Sequence, residues 1–560
     1  MNEFFKKLGR KLTGRKGIGS TMTAVIIIAV VMLNVLAYTV TNAFGLYFYS
    51  PPKEDFSLSG STDELFKSAI ENGKKVTMTF CYPEDKLENH DTGSYVLETA
   101  RRFKERYPEL IELRFVNLLT KMDSNGEVIR LEKYASVVCS NEIKTVEIED
   151  GEEFETVEVC GNNVRYNEAK KSVTCTRCKQ PYDLERDIVY NLKQNSVIFE
   201  SGSGEEWNCR VLTDNSTSAG FVDFYTLDSS STITAYIGEE VMASMISWVL
   251  HKNHPVAYFT QNHGETADIA FSNLLTSAGY YVEVINLRKQ AVPEDAGLLI
   301  ISNPTSDFDS HVEGTSTQGE IEKIEAYLER GGNLYVALDP YVKELENLEN
   351  LLEKWGISIS GKRNENDVLV RDIVREDVKA ITPDGYTFVA THADNELALA
   401  IRDKVTQYGN DSILMCEVTK LNLDDTKGAQ PLLVSGMTSS TYAGGEKTDG
   451  NGGYAVAAYS KQTHESGKTS TVFVIPTAYI TASDAFLSDS YSNKDFLYST
   501  LEVLFGSNPA PRGCNQIIYN TGILENLTMG KAKLYTAIIL AIPAALAVVG
   551  FITIRRRKNR

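Results

Sequence analysis

Small polar and acidic residues follow several apolar runs in the middle of the chain, where a ligand could bind. The carboxyl ends of parallel strands meet at one edge of an open sheet, and ligands bind in the crevice there. A glycine at that edge lets the backbone approach a ligand, and a His–Glu pair is titratable. The predicted rim for a ligand or partner consists of His263, Gly264, Glu265, Asn303, Pro304, Asp307, Gly331, Gly332, Asp339 and Pro340.

The same residues also have a purely structural interpretation. Glu265 with Thr266 could cap the following helix, and Asp339-Pro340 could end a strand. The sequence leaves both interpretations open.

Signatures of catalysis are missing from the sequence. Ser302-Asn303-Pro304 stands where an esterase-like G-x-S-x-G elbow would be, and no cysteine follows as an amidotransferase nucleophile would. Gly467-Lys468-Thr469 resembles the end of a phosphate loop, but Gln462 stands where that loop requires glycine. The seven histidines form no H-E-x-x-H pattern. We therefore predict no enzymatic activity, no catalytic residue and no cofactor.

Eight cysteines raise the question of metal or redox chemistry. Cys139, Cys160, Cys175 and Cys178 lie near one another in the sequence, whereas the other four are scattered. Only Cys175 and Cys178 have Cys-x-x-Cys spacing, and no second such pair accompanies them. That pair is a candidate metal site, but disulfides in an exported loop, or free thiols, are the favoured interpretation, and no metal is predicted.

Alternating apolar runs and amphipathic stretches predict the elements that position the rim. A strand–helix–strand unit is expected at 76–80, 95–107 and 111–116, followed by a hairpin within 135–164 around Asp150-Gly151. A second unit alternates helix and strand at 239–251, 255–260, 267–278, 281–287, 297–302, 320–330 and 333–338. This order is typical of an α/β fold with a doubly wound, mainly parallel sheet and helices on both faces.

Two uncharged apolar segments, one near each end, predict membrane anchoring. Residues 17–52 and 534–554 carry no charge, and a helix needs roughly 20 apolar residues to cross a bilayer. Lysines and arginines border each segment on its outer side, so both termini are expected in the cytoplasm. A cleaved signal peptide is the alternative for the first segment, but its apolar core exceeds the roughly 7 to 15 residues usual there.

The charge balance supports an exported middle. Without positions 1–20 and the basic tail, the chain retains 45 basic and 74 acidic residues, a net charge of about −29. Such a surface repels nucleic acid and anionic lipid headgroups. We expect a cell-membrane protein with two spans, an extracytoplasmic body and no nucleic-acid partner.

The predicted organisation follows from these observations. It comprises a cytoplasmic basic N-terminus (1–20), a transmembrane helix (21–46), a first α/β ectodomain unit (47–200), a linker or loop (201–236), an α/β domain (237–361), a mixed α/β extension (362–510), a juxtamembrane segment (511–533), a second transmembrane helix (534–554) and a cytoplasmic basic tail (555–560).

The chain resembles the GldG-type auxiliary component of ABC transporters, a family named for gliding motility. The matching residues, in order along the chain, are Glu240, Val256 to Thr260 leading to His263-Gly264-Glu265, Gly279-Tyr280, Val282, Asn303-Pro304, Tyr327-Leu328, Gly331 to Leu334, Asp339-Pro340, Asn493 to Asp495, Pro543, Gly550 and Arg555 to Arg557. The resemblance implies a flavodoxin-like or amidotransferase-like domain without its nucleophile, beside a separate ABC ATPase and an ABC-2-type permease. Gliding itself is not implied.

The leading functional hypothesis is a non-enzymatic, membrane-anchored subunit of an ABC-2-type transport system. Its extracytoplasmic domain would bind a substrate, an envelope component or the permease. The alternatives are an extracytoplasmic hydrolase or amidase that uses His263, Glu265 and Asp339, and an anchored solute- or carbohydrate-binding module at the same rim.

Overall fold

The protein is described by a computed structural model. It describes residues 56–120, 122–123, 126, 134, 136–149, 152–161, 163–165, 175, 178, 180, 188–189, 192–212, 220–227, 232–266, 268–310, 318–486 and 490–518. Within these residues, no helix combines the length and apolar composition that crossing a bilayer requires. The two predicted spans, 21–46 and 534–554, lie outside the described residues and remain predictions.

The helices are short to medium in length and alternate with strands over much of the chain. They are α1 (Ser61–Glu71), α2 (Glu84–Leu87), α3 (Gly93–Arg106), α4 (Gly238–Leu250), α5 (Ile269–Ser277), α6 (Glu320–Glu329), α7 (Glu346–Lys354), α8 (Glu396–Tyr408), α9 (Ser483–Phe486) and α10 (Asn493–Phe505).

The strands form several sheets. They are β1 (Val76–Phe80), β2 (Ile111–Asn117), β3 (Met122–Asp123), β4 (Ser136–Val138), β5 (Glu142–Glu149), β6 (Glu152–Val159), β7 (Asn163–Arg165), β8 (Ile188–Val189), β9 (Val197–Ser201), β10 (Asn208–Leu212), β11 (Tyr225–Leu227), β12 (Ile233–Tyr236), β13 (Val256–Thr260), β14 (Tyr281–Ile285), β15 (Ala296–Ser302), β16 (Asn333–Ala337), β17 (Ile357–Ile359), β18 (Gly361–Arg363), β19 (Leu369–Arg371), β20 (Ile373–Glu376), β21 (Thr387–His392), β22 (Ile413–Cys416), β23 (Leu421–Leu423), β24 (Ala429–Val434), β25 (Ser439–Ala443), β26 (Glu446–Asp449), β27 (Ala455–Thr463), β28 (Thr469–Ile475) and β29 (Ile517–Ile518). The chain is therefore a mixed α/β protein with both parallel and antiparallel strand pairs.

The first sheet has the order β10-β9-β1-β2-β3. Strands β1 and β2 are parallel and are connected through α3, as the sequence predicts, whereas β9 and β10 extend the sheet in antiparallel fashion. Alternating residues of β1, which are Val76, Met78 and Phe80, are fully buried in a core shared with α1, α3 and α4. The VTMTF run forms a strand because this alternation gives it one apolar face.

The large sheet carries the predicted rim. Its path is β14-β13-β15-β16-β28-β27-β24-β21-β22, and the first five strands are mutually parallel. From β28 onward the neighbours are antiparallel. Strand β28 therefore places the region after residue 361 in the same sheet as the strands before it.

Both faces of the large sheet are covered by helices. Leu298 and Ile300 of β15 face a core with α5, α8 and α10, whereas the alternate residues Leu299 and Ile301 face a second core with α6 and α7. All four side chains are fully buried. A strand that is buried on both faces appears in the sequence as a continuous run of apolar residues, as GLLIIS does here.

Two elements differ from the sequence-based expectation. Helix α4 was expected to belong with the large sheet, but Met242, Ile246 and Trp248 pack in the core of the first sheet. The polar segment 201–236 was expected to be a linker, yet it contains β10 to β12, and β10 pairs with β9. The amphipathic pattern of α4 predicts that one face of the helix is buried, but it does not specify which sheet covers that face.

The hairpin expected around Asp150-Gly151 is confirmed. Strands β5 and β6 pair over their whole lengths, from Glu142 opposite Val159 to Glu149 opposite Glu152. The pairing leaves two residues for the connection, the loop length that an Asp-Gly pair favours. The hairpin carries the chain from Cys139 to Cys160.

Candidate functional site

The strand register brings three of the predicted turns to one edge of the large sheet. Ser302 at the end of β15 is opposite Ala337 at the end of β16, and Phe259 near the end of β13 is opposite Ile300. The loops that follow β13, β15 and β16 therefore leave the sheet side by side. Thr266 donates its amide hydrogen to the Ser302 carbonyl (3.2 Å), which ties the first loop to the second strand.

His263 lies fully buried at the centre of this edge. Its Nδ1 is 3.1 Å from Glu265 Oε1, and its Nε2 is 2.9 Å from Glu320 Oε2. The imidazole stacks on Phe308 with ring centroids 3.9 Å apart. Both ring nitrogens are thus engaged with carboxylates of the protein itself.

This arrangement favours the protonated imidazole. Burial alone would lower the pKa of His263, but the hydrogen bonds to Glu265 and Glu320 outweigh it and raise the pKa to about 9. Burial would likewise raise the pKa of Glu265, and the hydrogen bond from His263 reverses the effect and lowers it. An imidazolium between two carboxylates is a buried ionic cluster.

The backbone around His263 is held by the loop after β15. The His263 carbonyl accepts from the amides of Thr305 (2.7 Å) and Ser306 (3.0 Å), and the His263 amide donates to Glu265 Oε2 (2.6 Å). Gly264 has φ +75°, and a Cβ on it would lie 2.0 Å from Thr305 Oγ1. A glycine is needed here because the two loops approach each other closely.

Glu320, a partner of His263, was missed by the sequence reasoning. It opens α6, is 2% exposed and accepts the Asp309 amide at 3.0 Å with the same oxygen that faces His263. The Arg288 guanidinium lies 3.9 Å from that oxygen and 3.5 Å from Asp309. In the sequence, Glu320 stands at the start of the helix that follows β15. An acidic residue at that position is usually interpreted as a helix cap.

The remaining acidic residues of the rim have structural roles. Asp307 accepts the amides of Asn347 (2.7 Å) and Leu348 (3.2 Å) at the start of α7. Asp339 accepts the Tyr341 amide at 2.7 Å in a tight turn that follows β16 and continues through Pro340. The Asp339 contact matches the turn interpretation of the sequence, whereas the expected cap of α5 by Glu265 is wrong: Asp268 accepts the Phe271 amide at 2.9 Å, and the Glu265 oxygens face His263.

Asn303 is the rim residue with unused hydrogen-bonding capacity. Its φ is +51°, and its amide hydrogen bonds to the Ala337 carbonyl at 2.9 Å. Its buried Oδ1 has no hydrogen-bond partner within the described part of the chain. Pro304, which follows, is buried.

Gly331 and Gly332 are separated from the other rim residues. They precede β16, so they lie at the amino edge of the sheet, opposite to the loops of His263, Asn303 and Asp339. A Cβ on Gly332 would lie 2.3 Å from the Tyr327 ring, and one on Gly331 would lie 3.1 Å from Lys468. The glycines allow α6 to pack closely before the chain enters β16, and they cannot contribute to a site at the carboxyl edge.

A groove of about 550 Å³ lies beside the His263 loop, on the side of the edge strand β14. Phe259, Val282, Val284 and Ile269 contribute apolar side chains, and Gly264 and Glu265 form part of its rim. Val284 and Ile269 are 60% and 73% exposed. This groove, rather than the buried His263 cluster, is the accessible part of the predicted rim.

A second feature lies where the two ends of the described body meet. Glu239 at the start of α4 accepts the amide of Ser59 (2.7 Å), the hydroxyl of Ser59 (2.6 Å) and the amide of Asn515 (2.7 Å). The Asn515 side chain also donates to the Ser57 carbonyl at 2.6 Å. Glu239 is 3% exposed, and burial raises its pKa. It therefore fastens the first described residues to the last.

A cavity of about 750 Å³ adjoins this junction. Glu240 and Lys494 form an ion pair on its wall, with Asp495 and Arg512 nearby. Burial raises the pKa of Asp495, and the positive charges of Arg512 and Lys494 oppose the shift. Glu240 and the segment 493–495 both belong to the residues that carry the family resemblance, and the structure brings them together across α4 and α10.

The candidate pair Cys175 and Cys178 is found with two further cysteines. The sulfurs of Cys139, Cys160, Cys175 and Cys178 all lie within 4.8 Å of one another. All eight cysteines lie among the described residues, and none of them forms a disulfide bond in the structure. The second pair that the sequence lacked is supplied by Cys139 and Cys160, which the β5–β6 hairpin brings together.

Comparison with known proteins gives structural likeness alone. No protein-family model and no curated protein matches the chain. Among solved structures, the N-terminal domain of mmIFT52 is 13% identical over 45% of this chain and 97% of that one, with a TM-score of 0.33. PurLQS from Thermotoga maritima is 13% identical over 44% of this chain and 98% of that one, with a TM-score of 0.23. A ThuA-like protein from Bacteroides uniformis is 12% identical over 46% of this chain and 97% of its own chain, with a TM-score of 0.26. Likenesses of this size carry no argument about function.

Proposed function

We propose that the chain is a non-enzymatic accessory subunit of an ABC-2-type transport system, anchored by two membrane spans with its folded body outside the cytoplasm. The parallel half of its large sheet would be a doubly wound, flavodoxin-like or amidotransferase-like unit without a nucleophile. An ABC ATPase and a multi-span permease would be its partners. The resemblance to the GldG-type family supplies the identity of these partners.

The observation that carries the proposal is the junction at Glu239. Residues 57–59 and 515 are joined through Glu239 and through the Asn515–Ser57 hydrogen bond. The chain thus enters and leaves the folded body at one place. Such a junction fits a body that is held to one membrane surface by a span on each side of it in the sequence.

The state of His263 argues against the rival hydrolase or amidase. A general base must have an accessible nitrogen near its substrate, but both nitrogens of the fully buried His263 face Glu265 and Glu320. Asp339 engages the Tyr341 amide instead of the imidazole. The three residues on which the rival depends are therefore used within the fold.

Co-purification tests the proposal. The full-length chain, tagged at its C-terminus, is expressed in its native host and extracted in a mild detergent, and its partners are identified by mass spectrometry. We expect an ABC ATPase and a multi-span permease in amounts comparable to the chain. A tagged membrane protein of the same host with two spans and an unrelated body is the control.

A chain that purifies without an ATPase or a permease after cross-linking in intact cells would overturn the proposal. The hydrolase alternative is checked on the same material with ester and amide substrates. Turnover by the wild-type chain that is lost in the His263→Gln variant would replace the proposed function with that alternative.

The groove beside β14 favours a second candidate, an anchored binding module. Phe259, Val282 and Val284 give it an apolar floor, and Glu283 gives it an acidic wall. This composition suits an amphiphile with an apolar part and a cationic or hydroxyl group. Thermal unfolding of the full-length chain with a panel of such amphiphiles is the test, and a shift that is lost in Val282→Asp but kept in Val368→Asp would support it.

A further inference from the structure

Four cysteines from three separate stretches of the chain meet in one small cluster. Their sulfurs all lie within 4.8 Å of one another. The Cys139 and Cys178 sulfurs are 3.6 Å apart, as are those of Cys160 and Cys175. Cys139, Cys160 and Cys175 are fully buried, and Cys178 is partly exposed.

Backbone hydrogen bonds hold the stretches that carry these cysteines. The Cys160 amide donates to the Asn141 carbonyl (2.8 Å), and the Gly161 amide donates to the Cys139 carbonyl (2.9 Å). These bonds continue the β5–β6 pairing beyond the base of the hairpin and fix Cys139 beside Cys160. The Cys175 amide donates to the Gln180 carbonyl (2.8 Å), which closes the turn that carries Cys178.

The sulfur geometry fits a tetrahedral metal site. Four thiolates about 2.3 Å from a central zinc ion are separated from one another by about 3.8 Å. A disulfide bond requires about 2.05 Å between sulfurs. The two distances of 3.6 Å are close to the tetrathiolate value and far from a covalent bond.

Hydrogen bonds to sulfur extend the cluster outward. The Asn141 side-chain amide donates to the Cys178 sulfur at 3.6 Å. Donors of this kind orient metal-bound thiolates and offset part of their negative charge. Asn141 thus connects the loop of Cys139 to the cysteine that lies nearest to solvent.

Among the described residues, two small antiparallel sheets surround the cluster: the β5–β6 hairpin and the three-stranded sheet β7-β4-β8. The β5–β6 hairpin has two strands, and Val157 and Val159 at its base are 56% and 61% exposed. Among the described residues of this region, the buried apolar cluster consists of the cysteines, with Ile143 and the partly exposed Cys178 packed against it. A two-stranded hairpin is marginal by itself, and small units of this kind are commonly held by a metal or by disulfides.

We propose that Cys139, Cys160, Cys175 and Cys178 bind one structural zinc ion as a closed tetrathiolate site. The four protein ligands leave no open coordination position, so the ion holds the hairpin and the segment 175–180 in place and performs no catalysis. Thiolate ligation by four sulfurs selects zinc or iron among the common metals, and we assign zinc. This inference is independent of the proposed transport role.

Metal analysis of the full-length chain tests the site. The chain is purified in detergent under anaerobic conditions, without a metal-binding tag, and zinc and iron are measured by inductively coupled plasma mass spectrometry. We expect about one zinc ion per chain. In competition with a chelator, the Cys139→Ser variant should bind zinc at least about tenfold more weakly than the wild-type chain, because the loss of a ligand weakens binding at least as much as the loss of an outer contact does.

The matched control is Cys416→Ser. Cys416 is partly exposed, and its sulfur accepts the Thr387 hydroxyl at 3.5 Å, far along the chain from the cluster. This variant should keep the full zinc content. A second variant, Cys178→His, replaces a partly exposed ligand with another zinc ligand. It should retain zinc, and after exchange for cobalt it should show a weaker sulfur-to-cobalt absorption than the wild-type chain.

Three results would overturn the proposal. The first is a metal-free chain whose non-reduced digest contains linked Cys139–Cys178 and Cys160–Cys175 peptides, which would establish two disulfides. The second is zinc that remains in Cys139→Ser while Cys178→His also leaves the cobalt spectrum unchanged. The third is stoichiometric iron in place of zinc.

Discussion

His263 Nε2 lies 2.9 Å from Glu320 Oε2, although the two residues are separated by 57 positions, His263 in the loop after β13 and Glu320 at the start of α6. On the other side of the ring, Nδ1 faces Glu265 Oε1 at 3.1 Å. The buried imidazolium therefore connects the loop after β13 to the start of α6. Its protonation state becomes a determinant of the stability of this edge.

The first prediction concerns stability against pH. The raised pKa of His263, about 9, means that the folded chain holds its proton more tightly than the unfolded chain, whose histidines have a pKa of about 6.5. The stabilisation is complete below pH about 6.5 and is lost as the pH rises toward 9. We expect the unfolding free energy to fall by up to about 3 kcal/mol across this window.

Thermal unfolding of the purified chain between pH 6 and 9.5 measures this dependence. His263→Gln should be less stable at pH 6 and should lose most of the slope. His254→Gln is the matched control, because burial lowers the pKa of His254 to about 4 and keeps it neutral throughout this window. An unchanged slope in His263→Gln would contradict the assignment.

The second prediction separates backbone strain from crowding at Gly264. Gly264 and Gly467 share a φ of +75°, but a Cβ would lie 2.0 Å from Thr305 Oγ1 at the first and would meet nothing within 4 Å at the second. Gly467→Ala should cost about 1 to 2 kcal/mol from the positive φ. Gly264→Ala should cost about 1 to 3 kcal/mol more, because the two loops must move apart.

Chemical denaturation of both variants gives these differences. Adding Thr305→Ala to Gly264→Ala should recover part of the loss, because it removes the hydroxyl that the new methyl group meets. Equal destabilisation by Gly264→Ala and Gly467→Ala would mean that the loops can separate without cost.

Much of the fold around this site follows from local sequence patterns. Strands β13 and β15 and helices α5 and α6 lie within a few residues of their predicted bounds, because each is a short apolar or amphipathic run ended by glycine or polar residues. The hairpin at Asp150-Gly151 is confirmed for the same reason. In these cases the pattern and its stop signals lie within one segment of the chain.

The site itself depends on pairings between distant segments. Glu320 reaches His263 because α6 returns to the edge that β13 leaves, and nothing near either residue encodes the contact. Cys139 and Cys160 lack the Cys-x-x-Cys spacing of a typical metal site, yet the β5–β6 hairpin between them brings them together. Gly331 lies at the opposite edge because it ends α6 before β16 begins. Spacing along the chain cannot specify these distances.

The third prediction concerns the junction between the ends of the described body. Glu239→Leu removes the acceptor for both donors of Ser59 and for the Asn515 amide. A buried donor left without a partner costs about 1 to 3 kcal/mol. These three donors are only partly buried, so we expect a total loss at the low end of that range, about 3 kcal/mol. Glu71→Leu, on an exposed residue at the end of α1, is the control and should have little effect.

Hydrogen exchange gives the local readout for Glu239→Leu. Peptides covering residues 56–60 and 511–518 should exchange at least about tenfold faster, since 1.4 kcal/mol corresponds to a factor of ten. Peptides from β15 and β16 should be unchanged. Uniform acceleration across the large sheet would mean that Glu239 stabilises the whole fold instead of the junction.

The fourth prediction concerns membrane topology. Asn515 donates to the Ser57 carbonyl at 2.6 Å, so described residues near the two ends of the body lie side by side. The positive-inside rule predicts that the basic residues at 6–16 and 555–560 stay in the cytoplasm, so we expect the two predicted spans to cross the membrane in opposite directions. Reporter fusions at residues 5 and 558 should therefore both show a cytoplasmic location.

A third reporter, inserted between Gly444 and Gly445 in the turn that joins β25 to β26, should show an extracytoplasmic location. Replacing Arg555, Arg556 and Arg557 by glutamine is the matched perturbation, and it should weaken the cytoplasmic signal at residue 558 without moving the first reporter. A mature chain that lacks its first 40 to 50 residues would favour a cleaved signal peptide. Because the Glu239 junction forms after residue 55, cleavage would leave the body attached by the second span alone, and the body would still fold with its ends joined.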